Sequence, residues 1–252
     1  MPTAPRLLFV FAHPDDESFT SAGLISRYVK NGATVAVISA TRGDAGRVGE
    51  PPLCSQAELP ARREAELRRA AGHLGLKELY VLDYADKQLS KATTSQIRLE
   101  LVQHIRAHRP HVIVTFDPNG MNGHPDHVAI SRFTMDAIVA AGDPRYNLSE
   151  GHPHTTQRVL WTTSILPWEV ADRPDLSSEP GVDFVVDVAP HRAEKIAALR
   201  SHRTQQVPID RCFFSKSNVD EILGIEAFRQ GWGPILTDVP SDDILAGLDL
   251  SE

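Results

Sequence analysis

A chain of 252 residues is long enough for one full α/β domain or two small ones. Its 41% hydrophobic and 23% charged residues fit a soluble globular protein. The 26 basic and 33 acidic residues give a formal charge of −7, spread without a basic block, which argues against nucleic acid or an anionic membrane as partner.

Residues 7–12 form a continuous apolar run, the pattern of a parallel strand covered on both faces. A helix is expected over residues 19–30, where Ala22, Ile25, Ser26 and Val29 share a face and Asn31-Gly32 supplies the stop. Residues 34–40 are a β-branched second strand, completing a βαβ crossover. Residues 41–59, with Gly43, Gly46, Gly49, Pro51 and Pro52, read as a long loop beyond a strand end. Leu67, Ala70, Ala71 and Leu74 mark a helix over 61–74, followed by a third strand over 79–82. A helix over 94–108 precedes a fourth strand over 111–116, and a further helix is expected over 127–141. After a loop over 143–157, in which His152 and His154 carry little functional weight, come a fifth strand over 159–163 and a sixth over 182–188. Asp183 and Asp187 point to an exposed place for the sixth strand. Helices over 190–202 and 219–228 follow, and from Pro234 onward the chain reads as a weakly attached end, closing on Ser251-Glu252.

No apolar run approaches the roughly 18 residues of a membrane helix, and the first eight residues lack a signal-peptide pattern. The expectation is a cytoplasmic protein with no membrane insertion. Cys54 and Cys212 are read as free thiols. With no repeat or linker, one domain is the simplest organisation. Alternating strands and helices give an α/β fold, a mostly parallel sheet with helices on both sides. In a strand order of 3-2-1-4-5, strands one and four are neighbours whose following chains leave in opposite directions, opening a crevice between them.

Two polar groups occupy those two strand ends. His13-Pro14-Asp15-Asp16-Glu17 follows strand one, and Gly123-His124-Pro125-Asp126-His127 follows strand four. Two imidazoles and a carboxylate are a standard ligand set for catalytic zinc, so His13, Asp16 and His127 are the expected ligands. Fe(II), Mn(II) or Co(II) suits the same set. Asp15 is then available as the base for water and His124 as the acid or oxyanion stabiliser. Asp126 is expected to orient the His124 ring, and Glu17 to brace a ligand from behind. The plain alternative for Asp15 or Asp16 is a helix cap. Arg42 and Asp44, on the glycine-rich turn after strand two, are candidates for sugar hydroxyls. Arg63 is a candidate for substrate contact. His202 and Gln205, past a helix end, are read either as cap residues or as a pocket wall.

Ala12-His13-Pro14-Asp15-Asp16-Glu17 and Gly123-His124-Pro125-Asp126-His127 resemble the two signature motifs of the zinc-dependent N-acetylglucosamine deacetylases of the PIG-L/LmbE kind, found in glycosylphosphatidylinositol, mycothiol and bacillithiol pathways. Thr41-x-Gly43-Asp44-x-Gly46, Arg63-x-x-Glu66 and Ser201-His202-x-x-Gln205 match further family motifs, though the family usually has Glu at the place of Asp44. The resemblance runs over about residues 6–206 and leaves 207–252 as a C-terminal elaboration of a single deacetylase domain. It implies a Rossmann-like three-layer sandwich, zinc on His13, Asp16 and His127, and catalytic roles for Asp15, His124 and Asp126. It also implies a small-molecule amino-sugar conjugate as substrate, contacted by Arg63. A metal-dependent amidase on another conjugate, or a non-catalytic metal- and sugar-binding relative, are the alternatives. Many family members form oligomers, which makes Phe213, Phe214, Phe228 and Trp232 either interface or core.

Overall fold

Arg6–Phe11 forms β1, and its five apolar residues are all buried, as a strand covered on both faces requires. In the computed structural model, which describes residues 3–147, 149, 151–173 and 175–251, β1 lies between two parallel neighbours, β2 (Thr34–Thr41) and β4 (Val112–Thr115). Glu252, part of the expected loose end, lies outside the described residues, as do 148 and 150 in the loop over 143–157. β3 (Glu78–Tyr84) pairs with β2 and β5 (Arg158–Thr162) with β4, both parallel, so the expected order 3-2-1-4-5 stands. Two more strands extend this sheet: β7 (Ile225–Trp232) lies antiparallel to β5, and β6 (Phe184–Asp187) antiparallel to β7 at the edge. The full order is 3-2-1-4-5-7-6.

β7 stands where a helix over 219–228 was expected; only Val219–Ile222 is helical. The inward positions of β7 are Glu226 and Phe228, and a carboxylate at a buried position erases the apolar alternation by which a strand is read. Glu226 is matched by partners on two helices. Its oxygens accept from Gly23 N (2.9 Å) and Leu24 N (2.8 Å), in the first turn of α2 (Ala22–Lys30). Lys195 Nζ, fully buried on α7 (Arg192–Ser201), lies 2.9 Å from Glu226 Oε1. The carboxylate thus supplies the negative charge that a helix start favours and the partner that a buried ammonium requires.

The helix expected over 19–30 is two helices, α1 (Asp16–Thr20) and α2, with a break at Ser21. Gly23 allows α2 to press against Val188, since a Cβ there would fall 2.5 Å from the valine Cβ. α3 (Leu59–His73) follows the long loop. α4 (Thr94–His108) has the expected bounds, with Ile97, Leu101 and Ile105 buried. A single turn, α5 (Gly120–Gly123), leads into α6 (Pro125–Gly142). α4 packs on α6, and α2 and α3 pack on α7, giving two helical layers around the sheet.

The chain beyond Pro234 is anchored rather than loose. Arg158, fully buried, donates from NH1 to Ile244 O, from NH2 to Ala246 O (2.8 Å) and from Nε to Gln230 Oε1 (2.8 Å). A buried guanidinium needs acceptors for its fork of donors, and the C-terminal carbonyls supply them. Of the aromatics raised as interface residues, Phe213 and Phe228 are fully buried inside the chain. Phe214 lies under the Arg200 guanidinium, 3.6 Å from its ring centroid, and Trp232 is 51% exposed. Among the described residues, no helix is long and apolar enough to cross a membrane.

His154 is buried, and its Nε2 donates to Pro110 O at 2.8 Å. Burial, reinforced by Arg109, Arg6 and His111 against the opposing hydrogen bond to Pro110, pushes its pKa down to about 4. The unfolded chain takes up this proton near the ordinary histidine value, whereas the folded chain refuses it until about pH 4. The stabilisation is therefore complete above the unfolded value and is lost as pH falls towards 4. The stability advantage of the wild type over His154→Gln is expected to shrink by roughly 2 kcal/mol between pH 7 and pH 4, allowing for partial screening. Urea unfolding of both proteins across that range measures it; a difference that does not change with pH contradicts the assignment.

Candidate metal centre and active site

The chain leaving β1 turns at the carboxyl edge of the sheet. Thr41 fixes its exit, donating from both N (2.9 Å) and Oγ1 (2.9 Å) to Ala12 O. His13 N donates to Asp16 Oδ2 (2.8 Å), closing the turn. Asp15 sits at φ 123°, ψ −27°, a conformation that costs a residue with a Cβ of order 1–3 kcal/mol. Two contacts hold it there. Its N–H donates to Glu17 Oε2 (3.0 Å), and its carboxylate lies 3.1 Å from Arg63 NH2. Glu17 is itself buried and accepts from Ser18 Oγ and from His202 Nε2 (2.8 Å). His202 is fully buried behind Glu17 and does not line the cleft.

The second group is shaped by the turn after β4. Asp117 accepts from the backbone N–H groups of Asn119 (3.0 Å) and Met121, bending the chain through α5. Gly120 O then lies 3.3 Å from His127 Nδ1, which fixes that nitrogen as the donor and leaves Nε2 free. The Phe116 ring stacks on the His127 ring at 3.9 Å between centroids. His124 caps α6, its Nδ1 accepting from Asp126 N (3.2 Å), and Pro125 occupies the first turn.

The two groups meet. His127 Nε2 lies 3.3 Å from His13 Nδ1 and 3.3 Å from Asp16 Oδ1, and His13 Nδ1 lies 3.5 Å from Asp16 Oδ2. Tetrahedral zinc with bonds of about 2.0–2.1 Å sets its ligand atoms about 3.3–3.4 Å apart, so the donor set fits a divalent cation. The far nitrogen of His13, Nε2, faces Asp86 Oδ1 (3.1 Å) and Asp126 Oδ2 (3.3 Å), the carboxylate bracing usual behind a metal-bound imidazole. His13, Asp86 and Asp126 also form a compact donor cluster, as do His13, His124 and His127. The first of these converges on His13 Nε2, which its two carboxylates share as a hydrogen-bond donor, so it is a brace rather than a separate site.

Asp126 differs from its expected role. Its carboxylate does not orient the His124 ring; it accepts from His13 Nε2 and from the backbone N–H groups of Lys87 (2.5 Å) and Leu89 (3.1 Å). The turn after β3 brings those two donors to the start of α6, and only the Asp126 backbone reaches His124. Asp86, on that same turn, is the residue the sequence reading passed over. Its signal was available: a carboxylate just beyond a strand end at the same edge of the sheet.

Charges in this cluster are strongly coupled. Burial works to raise Asp16, but His127 and His13 outweigh it and hold its carboxyl well below the usual range. Burial works to lower His13, but its hydrogen bonds to Asp126, Asp16 and Asp86 raise it well above the usual value. Burial pushes Asp15 up to about 6, with Arg63 opposing and Asp16 adding to the shift. His124 is lowered by burial and by the neighbouring His13 and His127. Functional sites commonly gather perturbed groups of this kind in a cleft.

The cleft has a volume of about 590 Å³, with His13, Asp15, Asp16, His124 and His127 among its lining residues. Arg63 reaches it from α3 but is already committed, donating to Gly43 O (3.2 Å) and Pro14 O besides facing Asp15. Gly43, at φ +64°, and Gly46 leave room for this guanidinium; a Cβ on either would sit within 2.5 Å of Arg63 NH1. Arg42 turns away to Glu64 and Asp83, and Asp44 accepts from Asp86 N (3.0 Å); neither lines the cleft. Gln205 does line it, donating to Arg47 O (2.9 Å).

Comparison with known proteins gives a consistent answer. The PIG-L family model, described as GlcNAc-PI de-N-acetylase, matches residues 8–138. The 1D-myo-inositol 2-acetamido-2-deoxy-alpha-D-glucopyranoside deacetylase of Geodermatophilus obscurus is 33% identical, over 98% of this chain and 99% of that protein. A second deacetylase of that description, from Saccharopolyspora erythraea, is 31% identical, over 96% of this chain and all of that protein. Among solved structures, the conserved protein TT1542 of Thermus thermophilus superposes with a TM-score of 0.70 at 26% identity, covering 92% of this chain and 97% of that one. Fold, donor set and relatives together define a metal-dependent amide hydrolase. The chain belongs to the PIG-L family of de-N-acetylases.

Glu17 is the brace that can be tested without a substrate. Glu17→Ala removes the acceptor of three hydrogen bonds, two of them fully buried, and is expected to lower the unfolding free energy by about 2–3 kcal/mol. Glu17→Gln, which keeps a carbonyl for Asp15 N–H, is expected to lose less. Urea titrations of the two variants measure the difference, and equal losses contradict the role given to the Asp15 contact.

Proposed function

We propose that this protein is a zinc-dependent hydrolase that removes the acetyl group from the nitrogen of an N-acetylglucosamine-type sugar carried on a small-molecule conjugate. The activity named for its relatives, deacetylation of an inositol-linked 2-acetamido sugar, supports that substrate class. The observation that carries the reading is the set of separations of 3.3–3.5 Å among His13 Nδ1, His127 Nε2 and the Asp16 carboxylate, at the floor of a cleft that Asp15 and His124 also line.

His13, Asp16 and His127 would hold the ion. When bound, it supplies a Lewis acid that polarises the acetamide carbonyl and makes water a nucleophile near neutral pH. Asp15 takes the proton that the attacking water gives up; its partly buried carboxylate, pushed up to about 6, suits that exchange. Arg63 and the Glu17 contact keep its side chain and its backbone in place. The proton taken by Asp15 passes to the departing nitrogen as the carbon–nitrogen bond breaks, leaving a free amine and acetate. His124 Nδ1 accepts from Asp126 N, so its Nε2 carries the ring proton and donates a hydrogen bond to the oxyanion that develops on the acetamide oxygen.

The test is free-amine release from a panel of N-acetyl sugars and their conjugates by the zinc-loaded protein. Asp15→Asn and His124→Ala are expected to keep zinc and to lose about 10²–10⁴-fold in kcat. Zinc bound with no compound cleaved above these variants overturns the catalytic reading. His13→Ala, Asp16→Ala and His127→Ala are expected to lose zinc in a metal-content assay, and full zinc in any of the three contradicts the ligand assignment.

A further inference from the structure

The charges at the floor of the cleft are matched among themselves. The acids that line it are Asp15, Asp16 and Asp86, and each has a basic partner: Arg63 for Asp15, His127 and His13 for Asp16, His13 for Asp86. Three further basic residues line it, Arg47, Lys87 and Arg211, and all three are exposed. Among the described residues none of them forms an ion pair. Lys87 Nζ has a neutral partner, Ala45 O, at 2.9 Å, and Arg211 lies beside the Cys212 thiol. Elsewhere on this acidic chain several arginines at the surface are paired: Arg27, Arg98 and Arg200 each sit on a carboxylate.

The three cations are held on connected pieces of chain. Lys87 reaches back to Ala45, two residues from Arg47. Arg47 O in turn accepts from Gln205 Nε2, on the segment that continues to Arg211. They therefore form one rim rather than three unrelated side chains. A second wall is apolar and rigid: Phe19 and Trp168 line the cleft and pack edge-on against each other and against Phe213, with centroids 5.3–6.1 Å apart. An acetamide placed at the floor leaves the rest of its conjugate directed towards this mouth. Unpaired cations gathered around one mouth raise the positive potential there and favour a negatively charged ligand.

We propose that Arg47, Lys87 and Arg211 form a recognition site for an anionic group, phosphate or carboxylate, on the part of the conjugate beyond the acetylated sugar. This rests on the assignment of the cleft floor to the acetamide. It makes the preferred substrate an N-acetylglucosaminide whose aglycone carries negative charge, rather than a neutral glycoside.

The test is equilibrium binding to the zinc-loaded Asp15→Asn protein, so that turnover plays no part. The probes are methyl N-acetylglucosaminide, its carboxymethyl counterpart and N-acetylglucosamine 1-phosphate. At least one anionic probe is expected to bind about tenfold or more tighter than the methyl glycoside, and the better of the two identifies the anion. The preference is expected to shrink as ionic strength rises, and to fall below about threefold in the added background of Arg47→Gln, Lys87→Gln and Arg211→Gln. Unchanged melting temperature and zinc content establish that this combined variant is folded. Equal binding of neutral and anionic probes overturns the proposal. So does a preference that survives in the combined variant, because the anion then sits on the metal. Failure of the deacetylase reading shows separately, as no amine released by the wild type from any probe while the binding preference persists.

Discussion

The parallel pairing of β1 with β4 is the contact on which the rest of the molecule depends. Leu7, Leu8 and Phe9 lie opposite Val112, Ile113 and Val114, and Thr115 Oγ1 donates to Val10 O at 2.9 Å, fixing how far each strand runs before it turns. The chain beyond β1 crosses to β2 on one side and the chain beyond β4 to β5 on the other. The two exits therefore share one edge with no connection covering it. A slip of one residue would turn every side chain of a strand to the opposite face and carry His13 or the 124–127 group out of reach. Once they are together, imidazoles and carboxylates that would each be costly to bury become one another's partners.

The position of the Asp15 carboxylate is set by several layers of packing. Arg63 and Glu66 are three residues apart on α3 and work on two different segments. Arg63 holds Pro14, Asp15 and Gly43, while Glu66, fully buried, accepts from Thr204 N (3.1 Å) and Thr204 Oγ1 (2.6 Å). The segment so fixed carries His202, which meets Glu17, which meets Asp15 N. A closed circuit thus runs from α3 through the late segment and back to the strained turn. Strain at Asp15 persists because this circuit leaves the turn no relaxed alternative.

The legible parts of the sequence were those whose signal is local. The central parallel strands β1, β2 and β4 are largely apolar runs, and the polar groups after β1 and β4 stand out because nothing apolar explains them. What was hidden depends on distant partners. β7 was masked because Glu226 takes a core position that only Lys195 and two N–H groups of α2 make tolerable. Arg158 reads as the polar flank of a strand, and its burial is intelligible only from carbonyls 86 and 88 residues further on. His202 reads as a cap or surface residue past a helix end, or as a pocket wall, yet Glu17 draws it fully inside. Asp126 could not be matched to Lys87 N and Leu89 N, because a backbone donor leaves no trace in residue type.

The buried carboxylate of Glu226 also bears on the order in which the protein is made. All three residues of the donor set lie within the first 127 positions, so a growing chain displays them early. The groups that steady the helices behind them, Lys195, His202 and Glu226, are all made in the last quarter. Until those arrive, the start of α2 lacks its acceptor and the turn at Asp15 lacks its circuit. Ordering of the donor set is thereby tied to the arrival of residues 195–226, and a shorter nascent chain carries the donors without their frame.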